Sequence, residues 1–434
     1  MSIEALPQHP PAPSIPSPAL RTRRWLAWGM LFGPLSIYLL TLWLVSPVSL
    51  SHLSPVLLVL TPLAIKVPRA YTIQAVSRLS FELVLLSLLV VLSFLSIYNL
   101  DDPIRCIRII FPCLLPLALL GALIPLGYVS RDRLLEVPRL MVFCCLSLTV
   151  FPFFALYAAP SLQSRLIGAY RLECFFENPI QLAIGLGVVT QVMIAEFAIS
   201  KNWKWKTAWG ILLVLTAYTM FRTGSKAPLG FTFLMGSILY VGLKFRSQSW
   251  LRSLVTLSVL IGVVLMLAFY GITIAERLNP QIGMKVRSVV EGGISNYHSF
   301  QERKLLWADA IHEGKTHWLI GSGAGEKVRG LSHAHNLVLD YFKGVGLFGA
   351  TAIVLLCLTV LARAASKGAA ILFRPSDDAD KRIWACYMAA LLYFMCNQMS
   401  DSFGPSTAGF FWVVYLTAVL ADRRPGRRLA RPVR

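Results

Sequence analysis

The chain has 434 residues, 56% of them hydrophobic and 14% charged, with a formal net charge of +20. Apolar runs of about 17–25 residues, long enough to cross a bilayer, recur from end to end and exclude a soluble globular enzyme. The eight cysteines exclude a disulfide framework. Cys106, Cys113, Cys144, Cys145, Cys357, Cys386 and Cys396 lie within apolar runs, Cys174 alone lies in a polar connection, and no CxxC or Cys/His zinc spacing occurs.

Residues 1–24, with "PQHPPAPSIPSPAL", read as a proline-rich, disordered cytoplasmic N-terminus. Apolar periodicity then places twelve spans near 25–46, 49–66, 81–99, 106–128, 138–159, 179–200, 206–221, 227–244, 251–274, 334–363, 383–400 and 405–422. The first run is long and lacks an A-x-A-like site, so it is expected to stay as a span. The expected fold class is an all-α, polytopic integral membrane protein. It has helices one to nine over 25–274, a large loop with short helices at 275–332, helices ten to twelve over 333–422, and a basic tail at 423–434. The tenth span is expected to break near Gly344 and Gly346.

Basic residues set the expected orientation. "RTRR", "KVPRAYTIQAVSR", "RDRLLEVPR", "KNWKWK", "KFRSQSWLR", "RAASKGAAILFRPSDDADKR" and "RRPGRRLARPVR" hold well over half of the 41 lysines and arginines. They occupy the N-terminus, the even connections and the C-terminus, which the positive-inside rule puts in the cytoplasm. The odd connections, including the loop at 275–332, then face outward. Charge spread over seven short pieces argues for membrane lipid contact and against nucleic acid.

The polar residues on the outward side are then the ones to explain. "YRLECFFENPIQLA" (170–183) carries Arg171, Glu173 and Glu177, with Pro179 set to start the sixth span. Arg171 pairs with one of these glutamates or binds a ligand. "FRTGSK" (221–226) ends the seventh span. Arg222 there is either a cation snorkelling at a helix end or a phosphate ligand, with Lys226 doubling the local charge. Arginine offers a rigid fork of donors that matches phosphate oxygens. In the large loop, "SFQERKLLWADAIHEG" has Ser299 and Glu302 in capping-box spacing and Gly314 as a stop. This predicts a helix over 300–313, lying on the membrane surface or across the bundle mouth, with Leu305, Ala308 and Ile311 as its apolar face. Arg303 falls in its first turn and Arg287 on the segment before it. "GSGAG" (321–325) lacks a Walker A lysine and the GxGxxG spacing, and reads as a flexible loop.

"SHAHN" (332–336) follows. With Ser332 as N-cap, His333 and His335 sit in the first helical turn. Residues two apart on a helix point about 200° apart, which argues against one shared metal. The partial positive charge of a helix N-terminus disfavours imidazolium, and a neutral imidazole can accept a proton as a general base does. The alternative is a histidine that only satisfies hydrogen bonds at the interface. Asp340 and Lys343, three apart, read as an ion pair; Asp340 could instead orient a neighbour. The outward carboxylates, among them Asp101, Asp102, Glu173, Glu177 and Asp401, form no DxD-like pair beside the histidines. One imidazole base candidate and several outward arginines on one membrane face suit transfer chemistry on a phosphate-carrying lipid.

The order of these parts resembles the O-antigen ligase and polymerase superfamily. About twelve spans are followed by a large late loop with Arg303 and Trp307, then "GSG" (321–323), then His335-Asn336 opening a helix that runs to "GVGLFG". Arg222 to Lys226 resembles the family's Ser-Arg-Gly-like turn, in a different order. The resemblance implies a metal-independent glycosyltransferase with no cofactor, in a bacterial inner membrane, with its active site periplasmic. Its donor would be a glycan on undecaprenyl pyrophosphate and its acceptor a sugar of the lipid A-core oligosaccharide. Carried over, His335 is the base, Arg222 and Arg287 the leading pyrophosphate ligands and Arg303 the next. Arg171, His333, Asn336 and Lys226 support them. An O-antigen polymerase and a protein O-oligosaccharyltransferase share the donor. A transporter or flippase is the rival of a different class, disfavoured by the lack of an internal repeat and by charges that cluster outside the spans.

Overall fold

The computed structural model describes residues 33–41, 58, 66–96, 104–157, 167–168, 171–172, 179–245, 298–323, 334–374, 376–398 and 405–422. After a helical stretch at 33–41, the described helices are α1 (Arg69–Ser77), α2 (Ser80–Leu95), α3 (Ile104–Val129), α4 (Arg131–Cys145) and α5 (Phe151–Tyr157). They continue with α6 (Pro179–Ile199), α7 (Trp203–Arg222), α8 (Lys226–Phe245), α9 (His298–Thr316), α10 (Leu337–Phe373), α11 (Asp378–Asn397) and α12 (Pro405–Ala421). A π-helical turn, Leu146–Val150, joins α4 to α5. The one departure from all-α among the described residues is a two-residue antiparallel pairing of β1 (Ile167–Gly168) with β2 (Arg171–Leu172).

Nine of the twelve expected spans fall on described helical segments. The first is described only over 33–41, and those at 49–66 and 251–274 fall outside the described residues but for residues 58 and 66. Length and composition establish fewer crossings. Five described helical segments are long and apolar enough to span a membrane, and six if α1 and α2, bent by 73° at their junction, count together.

α6 is the axis of the bundle, packed against α4, α7, α8, α11 and α12. Small residues let it serve. A Cβ on Gly187 would meet Thr232 on α8 and Leu392 on α11, so side chains of both helices seat directly on the α6 backbone. That is how helices pack where lipid removes the hydrophobic drive between them. The opposite side of α11 meets α12 through aromatic rings: Tyr393 and Phe411 stack at 5.3 Å, and Phe411 and Tyr415 at 5.4 Å. In α3 one of the three internal prolines leaves a carbonyl that a neighbouring helix satisfies. Pro116 has no N–H to give the carbonyl of Pro112 one turn back, and the Trp412 indole donates to that carbonyl instead, at 2.9 Å. The apolar residues left exposed run down the outer faces of α2 (Phe81, Val84, Val91) and α10 (Leu355, Leu358, Leu361), where lipid would cover them.

One end of the bundle gathers the charges. Glu196 is held by Arg139 at 2.6–2.7 Å and by Arg382 at 2.8 Å, and Glu82 by Arg363 and Tyr415. Arg131 reaches Asp377 and Asp380, and Lys367 reaches Asp380 and Asp422. These residues come from the second, fourth, sixth and tenth connections, or the helix ends beside them, and from the C-terminal end. Alternating spans would bring that set to one face.

Several expectations need correction. α10 does not stop at residue 363 but runs ten residues further as helix, because Arg363 and Lys367 have these carboxylates to face and Gly368 seats against the Trp384 indole. The stretch 69–77, taken as a connection, is helical. α9 extends past both expected ends: Ser299 lies inside it rather than capping it, and Gly314 does not stop it. Gly314 is buried against the ring of Phe342 on α10, where any Cβ would collide. The face of α9 turned to α10 is accordingly Leu306, Ala310 and Gly314. Leu305, Ala308 and Ile311 are exposed.

Candidate active site

α10 breaks at Gly346, which has φ 78° and ψ −170°. A continuous helix would bond Leu347 N to Lys343 O. Here Leu347 N donates to Trp318 O at 2.8 Å, and Lys343 O accepts from Ser322 N at 2.7 Å and Ser322 Oγ at 3.1 Å. Gly344 O takes Gly323 N at 3.2 Å. "GSG" is therefore not a flexible loop. Residues 321–323 are buried and plug the break, supplying the partners that backbone groups in a membrane must find within the protein. The fit is too close for side chains. Gly321 (φ 77°) has no room for a Cβ against the Gly344–Val345 backbone, nor Gly346 against Leu319.

The plug ties α9 to the first part of α10, and α9 packs along it. Arg303, half-buried, is on the α10-facing side of α9 with Leu306 and Ala310. At the start of α10, the N-cap is Asn336 rather than Ser332. Its side-chain oxygen accepts from Leu339 N at 3.1 Å, and its Nδ2 donates to Gln398 O beyond α11 at 3.2 Å. His335 thus precedes the cap instead of occupying the first turn. It is the one described non-glycine residue with positive φ, at 55°. For a residue with a Cβ that region costs about 1–3 kcal/mol, and the surroundings impose it. On one side Asn336 is anchored to α10 and α11; on the other, Ala334 N donates to Asp340 Oδ1 at 2.5 Å. Asp340 does orient a neighbour, holding the backbone next to His335. Lys343 is buried at the plug.

A second group of cations sits on the α7–α8 hairpin. Arg222 ends α7 and Lys226 begins α8, either side of a turn in which Gly224 takes φ 68°. Thr223 Oγ1 closes that turn, donating to Met220 O at 2.7 Å and accepting from Ser225 N at 3.2 Å. Arg222 is half-buried and makes no hydrogen bond or ion pair among the described residues, whereas the Lys226 Nζ is buried. β2, which contains Arg171, packs against α7, and α8 packs against α10.

His335, Asn336 and Arg303 therefore belong to the α9–α10 unit, Arg222 and Lys226 to the α7–α8 hairpin, and Arg171 to a strand against α7. Arg287, His333, Glu173, Glu177, Asp101, Asp102 and Asp401 lie outside the described residues. Gly321, Ser322 and Gly346 were not among the expected site residues, although the break near Gly346 was expected. The pairing of "GSG" with "GVG" was their signal. Among the described residues no group of three or more His, Cys, Asp or Glu side chains could hold a metal ion.

These features define a helical membrane protein in which a histidine of positive φ immediately precedes a broken helix, with arginines on the neighbouring elements. The O-antigen ligase family matches residues 211–374, from α7 through α10. This segment contains Arg222, Arg303, His335 and the whole plug. No curated protein matches the chain significantly. The family supports ligase- or polymerase-type glycan transfer.

Proposed function

We propose that the protein is an O-antigen ligase that transfers a glycan from undecaprenyl pyrophosphate to a sugar hydroxyl of the lipid A-core at the periplasmic face of a bacterial inner membrane. The observation that carries the reading is the strained, doubly anchored His335 at the start of α10, within the segment that the family matches. His335 accepts the proton of the acceptor hydroxyl. That oxygen attacks the anomeric carbon of the donor sugar as the bond to the pyrophosphate oxygen breaks, and the lipid pyrophosphate leaves. Such a displacement inverts the anomeric centre.

Arg222, Arg287 and Arg303 hold the pyrophosphate and stabilise the charge that develops on it. Lys226 and Arg171 add positive potential, Asn336 fixes the His335 backbone, and His333 assists. Arg222 supports this role because it is half-buried without a carboxylate partner among the described residues. Permanent charge on arginine can replace a divalent metal, so the transfer is proposed to be metal-independent.

The test is a transfer assay with purified protein, lipid-linked glycan and lipid A-core. Product linked to the core, lost in His335→Ala, is the expected result. Product that lengthens only the lipid-linked glycan would make the protein a polymerase, and glycan on an added acceptor protein would make it a protein O-oligosaccharyltransferase.

A further inference from the structure

A cavity of about 1270 Å³ lies at the charged end of the bundle, far from the His335 end of α10 in sequence. That volume exceeds the ~300–1,000 Å³ usual for a drug-sized ligand. Five cations line it, Arg78, Arg131, Arg363, Lys367 and Arg374, against two carboxylates, Asp380 and Asp422. The carboxylates are already engaged by Arg131 and Lys367, and Arg363 is engaged by Glu82. Two arginines are left over. Among the described residues the Arg78 side chain donates only to a backbone carbonyl, that of Leu420, at 3.2 Å. Arg374 is exposed and its side chain makes no hydrogen bond or ion pair among the described residues.

The other wall of the cavity is apolar. Phe81 on α2 and Leu355 and Leu358 on α10 line it while remaining 48%, 37% and 52% exposed, so the cavity is continuous with the outer faces of both helices. Its depth is set by α1. That helix meets α2 at 73°, and its last turn, Gln74 and Ser77, forms part of the rim. If α2 crosses the bilayer, α1 runs close to the membrane plane at the end of that helix.

We propose that this cavity binds an anionic phospholipid, with Arg78 and Arg374 as ligands of the headgroup phosphate and the groove between α2 and α10 taking the acyl chains. Arginine forks with no carboxylate partner among the described residues match phosphate oxygens, the lining carries excess positive charge, and the apolar wall begins where acyl chains would. A soluble anion would use the first two features but not the third.

The experiment is native mass spectrometry of the full-length protein in detergent with dioleoyl phosphatidylglycerol, dioleoyl phosphatidylcholine or inorganic phosphate. Phosphatidylglycerol should be retained at least about fivefold better than phosphatidylcholine. Arg374→Gln should lower that retention about fivefold and the Arg78→Gln, Arg374→Gln pair about twenty-five-fold, the factor expected for one arginine at an anionic surface applied once and twice. Arg133→Gln, on an exposed residue paired with Glu136 outside the cavity, should change nothing. The Arg374 side chain bonds nothing among the described residues, so its replacement leaves the described fold in place for the comparison. Equal retention of the two lipids, unchanged retention in the double variant, or displacement of the lipid by millimolar inorganic phosphate would each overturn the proposal.

Discussion

Ser322 donates twice to the carbonyl of Lys343, the acceptor that Leu347 would use if α10 were an unbroken helix. The loop before the histidine segment and the break after it are thus one device. It holds the first part of α10, and with it His335, at a set angle to the rest of the span.

This device predicts a graded series. Gly346→Ala and Gly321→Ala each force a side chain into backbone at positive φ, a strain of about 1–3 kcal/mol before any collision is counted. Both should lower the melting temperature and transfer activity together. Ser322→Ala keeps the backbone bond and loses only the hydroxyl one, worth about 1 kcal/mol, so it should be much milder. Thermal unfolding in detergent beside the transfer assay gives the order, and equal stability in all three variants would remove the plug from the account.

His335→Ala should abolish transfer by about 10²–10⁴-fold, the range for loss of a general base, with the chain still folded. His335→Gly sharpens the comparison. Glycine relieves the positive φ, so that variant should be at least as stable as the parent and equally inactive. His333→Ala should be milder. Near-normal activity in His335→Gly would show that the residue is structural.

Asn336→Ala removes an N-cap worth about 1 kcal/mol and the tie to Gln398. It should raise the acceptor requirement and lower turnover without eliminating it. A variant indistinguishable from the parent in both kinetic parameters would mean that the anchoring of His335 is not used.

Arg222→Ala and Arg287→Ala should weaken use of the pyrophosphate donor. Lysine at either position should restore it in part, because ammonium lacks the planar fork. Chelation with EDTA during the same assay should leave the rate nearly intact. Activity lost on chelation and recovered with magnesium or manganese would replace the arginine mechanism with a metal one, and Glu173 and Asp401 would be the first candidate ligands.

The charged end predicts acid sensitivity. Burial pushes the Asp380 carboxyl up, but hydrogen bonds and charge from Lys367 and Arg131 outweigh it and hold the group below the usual carboxylate range. A depressed folded-state value means that the contribution is complete above the unfolded value, about 4, and is lost as pH falls through the folded one. Asp380→Asn should therefore lower the melting temperature at pH 7 and make little difference well below pH 4. A difference that is the same at both pH values would count against the ion cluster.

Much of the architecture was legible from apolar run length. Spans near 81–99, 106–128, 179–200, 227–244 and 405–422 all fall on helices, because a chain in lipid must satisfy its backbone locally and only long apolar helices do so. The break in the tenth span was legible too, from Gly344 and Gly346, since glycine tolerates the backbone a break requires. His335 could be singled out as a candidate, but not its conformation. Its position before the cap follows from Asn336 finding Gln398, which is 62 residues away along the chain. The face of α9 turned to α10 was not anticipated, because a small residue, Gly314, meets Phe342 across a close helix contact. The plug was missed for the same reason. Hydrogen bonds between 318–323 and 343–347 depend on α9 lying along α10. Local pattern carries no information about which distant backbone will fill a gap; packing chooses it.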